Sequence, residues 1–231
     1  LAIEIVEAVV QACAPRNVPV TLKMRTGWCQ TEKNAVVLAR AAEAVGVQMV
    51  TVHGRTREQG YKGAAEYDTI AAVKAALKIP VVANGDITSP EKAREVLQAT
   101  GADAIMIGRA AQGYPWIFRE VAHFLATGTQ LAPPLVSEVK RLLVEHLQDH
   151  YSLDDEFIGV RSARKHIGWY LRELPGGEDF RQRMNLLEDS AAQVAAVEDY
   201  LDQLNEKMDR IPRREHASSL ARGHDMMELA A

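Results

Sequence analysis

Short apolar segments recur along the first half of the chain and alternate with longer segments in which apolar positions repeat every three to four residues. The short segments are apolar on both faces, as strands of a parallel sheet are, and the longer ones are typical of amphipathic helices. We predict strands at residues 18–24, 48–53, 79–84 and 103–107. We predict helices at residues 1–13, 32–45, 67–77 and 90–99. This alternation indicates βα units on a parallel sheet.

The pattern changes after Gly128. Pro133 and Pro134 mark a linker, and beyond them apolar positions repeat only with the helical period. We therefore divide the chain into an α/β domain at residues 1–128 and a small all-α helical bundle domain at residues 129–210. Residues 211–231 are polar and have no helix caps, so we expect a disordered tail there.

Glycines follow the last two predicted strands. Asn84 ends the third strand and is followed by Gly85 and Asp86, and Gly108 and Arg109 come after the fourth strand. Bare backbone N–H groups and a guanidinium suit a phosphate, which (β/α)8 barrels often bind after their last two strands. Strand-to-helix turns that use glycine only for its positive φ are the alternative.

The phosphate interpretation fixes the architecture that we expect. Only βα units of the last barrel strands would carry such loops, and no strand is predicted after residue 128. We therefore predict the carboxyl-terminal half of a (β/α)8 TIM barrel followed by the helical bundle. The other half would precede Leu1, so the chain is interpreted as a fragment.

Polar residues also occur at the carboxyl ends of the first two predicted strands. Lys23 and Arg25 occupy alternate positions and therefore share one face, where an unpaired charge would be costly. An anionic ligand and a structural salt bridge are the two partners that remain open. His53 ends the second strand, and a lone histidine is more often structural than reactive. Because the strand ends of a barrel converge on one rim, we nevertheless expect a binding site there.

Four motifs together resemble a known family. They are Leu-Lys-Met-Arg-Thr-Gly, Val-His-Gly-Arg-Thr, Val-Ala-Asn-Gly-Asp and Met-Ile-Gly-Arg-Ala. In this order and spacing they resemble the flavin-dependent tRNA-dihydrouridine synthases, most of all the bacterial B subfamily, and the likeness extends into the helical domain at residues 110–118 and 161–170. The resemblance implies FMN as cofactor, NADPH as reductant and tRNA as substrate.

The resemblance also implies roles for individual residues. Lys23 would lie at the N1/O2 edge of the flavin and His53 against the flavin. Asn84, Gly85 and Asp86 would line the path of the phosphoribityl chain. Gly108 and Arg109 would bind its terminal phosphate. The implied reaction is the reduction of uridine to 5,6-dihydrouridine in the D-loop, at position 17 in the B subfamily.

In the family a cysteine protonates C5 of the uracil ring. Cys13 and Cys29 do not match the motif of that acid. No catalytic residue is therefore assigned, and the acid cysteine is expected upstream of Leu1. We expect the chain by itself to be inactive.

The helical domain contains a cationic stripe. At 100° per residue, Arg161, Lys165 and Arg172 fall on one side of a helix. A solvated helix face is the ordinary meaning of such charges, whereas their concentration suits an RNA phosphate backbone. In the family this domain embraces tRNA, so the resemblance favours RNA binding.

Composition narrows the alternatives. The net charge of −4 does not indicate a general nucleic-acid binder, and two cysteines without ligand spacing predict neither a disulfide framework nor a metal site. The chain has no signal peptide and no apolar segment of membrane-spanning length, so we expect a cytoplasmic protein, monomeric as the full-length parent, with no membrane partner.

Two alternative functions stay open. Another FMN-dependent TIM-barrel reductase, of the dihydroorotate or enoate type, is the runner-up, and the helical domain argues against it. A non-catalytic RNA-binding fragment is the third alternative.

Overall fold

The computed structural model describes residues 1–153, 155–171 and 173–214. The chain divides into two compact units, Leu1–Gly108 and the segment that begins at Arg109. The first unit contains a parallel sheet with helices, and the second contains helices joined by turns. The mixed α/β architecture with a parallel sheet confirms that part of the fold prediction.

In the sheet unit, helices and strands alternate. They are α1 (Ala2–Cys13), β1 (Thr21–Arg25), α2 (Ala35–Ala44), β2 (Met49–His53), α3 (Asp68–Ala76), β3 (Val81–Asn84), α4 (Pro90–Thr100) and β4 (Ala104–Met106). The strands are all parallel and lie in the order β1-β2-β3-β4. Because parallel crossovers are right-handed, a sheet wound in one direction carries its helices on one face. The helices form such a layer, since each of α1 to α4 contacts the next.

The two faces of the sheet differ in chemistry. Val50, Val52, Val81 and Ala83 are fully buried and alternate along β2 and β3 with the residues of the other face. The other face carries the polar residues of the predicted rim, because side chains of a strand point alternately to opposite sides. The sheet therefore buries its apolar face and places its candidate chemistry on the opposite one.

Local signals explain where several elements begin and end. Ser89 accepts a hydrogen bond from the Lys92 N–H at 3.1 Å, and Pro90 occupies the first turn of α4, as expected for a capped helix. Gly101 ends α4 with a left-handed backbone, at φ 65°. β1 begins at Thr21, later than predicted, and Pro19 just before it has no N–H to donate to a ladder.

In the described part of the second unit, five helices follow a short 3-10 turn at Arg109–Ala111. They are α5 (Ile117–Thr127), α6 (Val136–Tyr151), α7 (Glu156–Leu171), α8 (Gly177–Met184) and α9 (Ser190–Asn205). α6 packs against both α7 and α9, and α8 packs against α7 and α9. The core of this unit includes Leu143, Leu147, Ile167 and Leu201, which are fully buried.

The boundary between the units lies at residues 108/109 and not at residue 128 as predicted. α5 belongs with the helical unit because Arg119 forms a bidentate pair with Glu138 and the Trp116 indole donates to the same carboxylate. Gly113 also packs tightly in this unit, since a Cβ there would approach the Trp169 backbone to 2.2 Å. The Glu138 carboxylate and packing against Trp169 therefore hold these residues in the helical unit, although the composition alone assigns them to the α/β domain.

The predicted linker and the predicted tail also differ from the structure. Pro134 is buried, and its carbonyl accepts a hydrogen bond from the Ile211 N–H at 3.2 Å. Leu135 forms an antiparallel bridge with Arg210, which closes the helical unit. These contacts place residues 210 and 211 in the helical unit, whereas residues 215–231, which make up most of the predicted tail, lie outside the described residues.

Candidate functional site

The strand register places the predicted rim residues side by side. Arg25 pairs with His53, His53 pairs with Asn84, and Asn84 pairs with Met106. Lys23 pairs with Thr51, so it lies on the same face one step below Arg25. The Asn84 side chain donates to the Met106 carbonyl at 2.8 Å and joins the two strand ends. Four strand ends thus meet at one level, with cations and neutral polar groups on one face.

The loop after β2 is held against these strand ends by Arg25. The Nη1 atom of Arg25 donates hydrogen bonds to the carbonyls of Thr56 and Gly60, each at 2.8 Å. The backbone of the loop after β1 continues the same ladder, because the Thr26 N–H donates to the Arg55 carbonyl at 3.2 Å. Arg25 therefore has backbone carbonyls as partners. The sequence had left open only an anionic ligand and a salt bridge.

Arg55 lies at the rim, and it was not singled out from the sequence. It is buried to 1% exposure, and its guanidinium lies 2.6 Å from the Asp86 carboxylate. The same Asp86 oxygen accepts the Ala65 N–H at 2.8 Å. Asp86 therefore binds the loop after β2, in addition to following β3. The available signal was the alternation in Val-His-Gly-Arg-Thr, which places an arginine two residues after His53.

Two glycines allow this close approach of loop and strand ends. A Cβ at Gly85 would lie 2.7 Å from Ala65 Cβ and 3.1 Å from His53 Cδ2, and Gly85 has φ 127°. A Cβ at Gly54 would lie 2.2 Å from the Glu66 carbonyl oxygen. Both positions require glycine for contact, and Gly85 also requires it for its backbone conformation. Gly85 therefore has a structural function that is independent of any phosphate.

His53 is neutral in this environment. Burial, together with the positive charges of Arg25, Arg55 and Lys23, lowers the pKa of His53 from 6.5 to about 4, and the Asp86 carboxylate opposes this only in part. Its ring is tilted against that of Tyr61, with 6.4 Å between centroids, and Tyr61 is 65% exposed. The rim therefore presents fixed cations and a neutral imidazole at neutral pH.

The remaining predicted residues of the flavin site are distributed as follows. Lys23 is exposed, and a Cβ built at Gly108 meets no atom within 4 Å. Arg109 begins the 3-10 turn of the second unit. The role of Lys23 at the flavin edge and the shared role of Gly108 and Arg109 at the terminal phosphate stay predictions. Cys13 lies in α1, and the Cys29 thiol contacts the Thr31 hydroxyl at 3.2 Å.

The cationic stripe of α7 carries aromatic rings at both of its ends. Arg161 and Lys165 are exposed, and they are flanked by Phe157 and Trp169, each residue lying four positions after the one before it. The Arg161 guanidinium lies 3.9 Å from the centroid of Phe157, and the Lys165 ammonium lies 5.2 Å from that of Trp169. Arg172, the third predicted cation, lies outside the described residues. Residues four apart in a helix are neighbours, so these four side chains form one surface, called here the α7 ladder.

The described residues contain no membrane-spanning helix and no metal cluster. No helix among them combines the length and the apolar character needed to cross a bilayer. They also contain no cluster of three or more His, Cys, Asp or Glu side chains arranged to hold a metal ion.

Fold and site together define a class of protein: an α/β protein with a parallel sheet, a polar rim at the carboxyl ends of its strands, and a separate helical unit. Residues 1–205 match the family model described as dihydrouridine synthase. The chain belongs to the dihydrouridine synthase family.

Two tRNA-dihydrouridine synthases agree with this assignment. The chain is 54% identical over 206 residues to the tRNA-dihydrouridine synthase B of Pseudomonas putida, covering 89% of this chain and 60% of that protein. It is 56% identical over 200 residues to the tRNA-dihydrouridine synthase B of Pseudomonas syringae pv. tomato, covering 87% and 58%. The chain thus spans about 60% of the length of these relatives.

Among solved structures, the nitroalkane oxidase of Streptomyces ansochromogenes is similar with a TM-score of 0.34 and 26% identity, over 44% of this chain and 30% of that one.

Proposed function

We propose that this protein acts in the flavin-dependent reduction of uridine to 5,6-dihydrouridine in tRNA, as an NADPH-linked oxidoreductase. The observation that carries the proposal is the alignment of Arg25, His53 and Asn84 at one level of the sheet, with Lys23 beside them, in a chain of the dihydrouridine synthase family. The D-loop, and position 17 within it, is the target that we propose from the B subfamily.

The sheet supports a finer statement about the fold. Four consecutive parallel strands with their helices in one layer are what a segment of a (β/α)8 barrel looks like. We propose that they correspond to the last four βα units of such a barrel. Its active site would then lie at the carboxyl ends of the strands, where the polar rim is found.

The residues of the rim fit FMN. Lys23 offers an exposed ammonium, His53 offers a neutral ring, and the carboxylate of Asp86 is neutralised by Arg55. Bound FMN would supply the hydride chemistry needed to reduce the uracil ring, with NADPH as the source of the electrons.

The chain's own groups would bind and orient this cofactor. Lys23 would place positive charge at the N1/O2 edge, and His53 would contact the flavin as a neutral group. Asn84 and the backbone of Gly85 and Asp86 would follow the phosphoribityl chain. Gly108 and Arg109 would bind the terminal phosphate, through backbone N–H groups and a guanidinium.

The α7 ladder supports RNA as the partner of the helical unit. Cations that track a phosphate backbone and aromatic rings on which bases stack are the two components of single-stranded nucleic-acid sites. Arg161 also lies 3.9 Å from Glu188, but an exposed ion pair of this kind contributes little energy and yields easily to a phosphate. We propose that Arg161, Lys165 and Arg172 contact tRNA.

We expect Lys23→Met to lower the midpoint potential of bound FMN by about 30–60 mV. Negative charge that develops during flavin reduction would lose a charged partner, worth about 1.5–3 kcal/mol, and 30 mV corresponds to about 1.4 kcal/mol for a two-electron couple. The measurement is a spectroscopic redox titration of the FMN-loaded protein.

Lys78→Met is the matched control. Lys78 is an exposed lysine that precedes β3, at the opposite end of the strands from the rim. The control should leave the potential unchanged. Equal potentials for Lys23→Met and wild type would remove Lys23 from the flavin site.

We expect the double variant Arg161→Ala/Lys165→Ala to bind tRNA about five- to tenfold more weakly. Loss of two phosphate contacts should also reduce the slope of log K against log salt by about 1.5–2. Fluorescence anisotropy with labelled tRNA at several salt concentrations provides both values. The double variant Arg141→Ala/Lys207→Ala removes the same charge from exposed positions outside the ladder and should keep the wild-type slope. Equal slopes for the two double variants would exclude the ladder as an RNA contact.

A further inference from the structure

Arg55 directs its guanidinium at four different partners while it is buried to 1% exposure. Nε donates to the Lys62 carbonyl at 3.3 Å, and Nη2 donates to the Gly63 carbonyl and the Asp86 carboxylate, each at 2.6 Å. Nη1 lies 3.4 Å from Nε2 of His53. A side chain fixed at three points by the loop and Asp86 has little freedom to turn its remaining nitrogen away from His53.

The chemistry of the two groups determines the direction of the contact with His53. A guanidinium is always protonated in proteins and has N–H donors only, whereas a neutral imidazole has one donor nitrogen and one acceptor nitrogen. Nε2 must therefore be the acceptor, which leaves the ring proton on Nδ1. A ring that carried its proton on Nε2 would point one N–H group at another.

We propose that Arg55 is a positioning residue that fixes His53 as the neutral tautomer with its proton on Nδ1. Arg55 does this from behind the rim, because the loop and Asp86 hold it in place. His53 then has a single N–H donor, of known identity, for any ligand that reaches the rim.

The other charged groups around His53 either oppose its protonation or already have hydrogen-bond partners. Arg25 is fixed by two loop carbonyls, and both it and Lys23 add positive charge near the ring. Among the described residues, Asp86 is the acidic group that raises the pKa of His53, and one of its carboxylate oxygens is shared between Arg55 and the Ala65 N–H. A second proton on His53 is therefore opposed by three cations, while the single carboxylate is neutralised.

The tautomer limits what His53 can do in the reaction, a step that rests on the proposed function. A neutral Nδ1–H tautomer can donate a hydrogen bond to a flavin or a uracil oxygen. It has no imidazolium proton to transfer at neutral pH, so His53 does not protonate C5 of the uracil ring. His53 would be an orienting donor, and the acid must be another group.

Two-dimensional NMR of the full chain labelled with ¹⁵N in histidine tests the tautomer directly, because protonated and unprotonated ring nitrogens have well-separated shifts. The signals of His53 are assigned by their loss in His53→Gln. We expect a protonated Nδ1 and an unprotonated Nε2 throughout the neutral range. A protonated Nε2, or a ring that titrates near the ordinary value, would overturn the proposal. No flavin or RNA is needed, so the result is independent of whether the proposed function holds.

Substitution of Arg55 separates positioning from simple packing. In Arg55→Met we expect the His53 ring to lose its preference for Nδ1–H and to titrate about one pH unit or more higher. Arg57→Met is the control, because Arg57 is exposed in the same loop and its loss removes the same charge. Unchanged His53 signals in Arg55→Met would contradict the proposal. If that variant does not fold, the wild-type tautomer still decides the question.

Discussion

Replacing Arg55 with methionine is expected to lower the free energy of unfolding by about 3–5 kcal/mol. The pair between Arg55 and Asp86 is 1% and 10% exposed at its two side chains, with the charged atoms 2.6 Å apart. Removing one partner of a buried pair leaves the other charge without compensation, which is the costly way to break such a pair. Urea unfolding followed by far-UV circular dichroism measures the effect.

Two further variants show whether the loss comes from the ion pair. Arg57→Met should change the free energy of unfolding by less than about 0.5 kcal/mol, as exposed substitutions usually do. Asp86→Asn keeps the shape of the side chain, and asparagine tolerates the left-handed backbone found there, with φ 49°. The double variant Arg55→Met/Asp86→Asn should therefore lose less than the sum of the two single losses. Additive losses, or a loss below about 1 kcal/mol for Arg55→Met, would show that the pair is not what ties the loop to the sheet.

Acidification from pH 7 to pH 4 is expected to remove about 3 kcal/mol of stability through His53 alone. The pKa of His53 is lowered from 6.5 to about 4 in the folded protein, first by burial and then by Arg25, Arg55 and Lys23. Between these two values the unfolded chain binds the proton and the folded protein does not. The contribution is therefore complete above pH 6.5 and is lost as the pH falls towards 4.

His53→Gln isolates this contribution from the other titrating groups. Glu66, His146 and His166 also have lowered pKa values, but they are common to both proteins. The difference in unfolding free energy between wild type and His53→Gln should shrink by about 3 kcal/mol from pH 7 to pH 4. Parallel pH curves for the two proteins would mean that His53 is not held neutral.

Periodicity and turn signals were sufficient to predict the sheet unit. The four predicted strands are confirmed as four parallel strands, because each is a short apolar segment that a helix with a clear end separates from the next. Ser89 and Pro90 predicted the start of α4, since a cap acts locally and depends on neighbouring residues only. Such information is present in any window of the sequence.

The rim was predictable only in part. His53 and Asn84 could be predicted to lie side by side because each ends a strand, and strand ends are visible in the sequence. The role of Arg55 is not visible there, because its partner Asp86 lies 31 residues further along the chain. The pairing depends on how the loop after β2 folds back over β3, and loop conformation of this kind has no periodic signal.

The boundary between the units was wrong for a related reason. The composition changes at Gly128, but Trp116 and Arg119 both contact Glu138 across that point. A contact between residues of α5 and α6 overrides a composition boundary, since units are defined by what packs together. The proline pair was interpreted as a linker, although the Pro134 carbonyl accepts a hydrogen bond from the Ile211 N–H and the next residue, Leu135, forms a bridge with Arg210.

The most direct test of the proposed function is whether this chain can replace its counterpart in a working enzyme. The matched region of the Pseudomonas putida relative would be exchanged for this chain, and the chimera expressed in a bacterial strain without dihydrouridine synthases of its own. Mass spectrometry of digested tRNA then measures dihydrouridine. We predict that the chimera restores the modified base and that Lys23→Met in the chimera reduces its yield. A chimera that is folded and binds FMN but leaves the uridines unreduced would contradict the account.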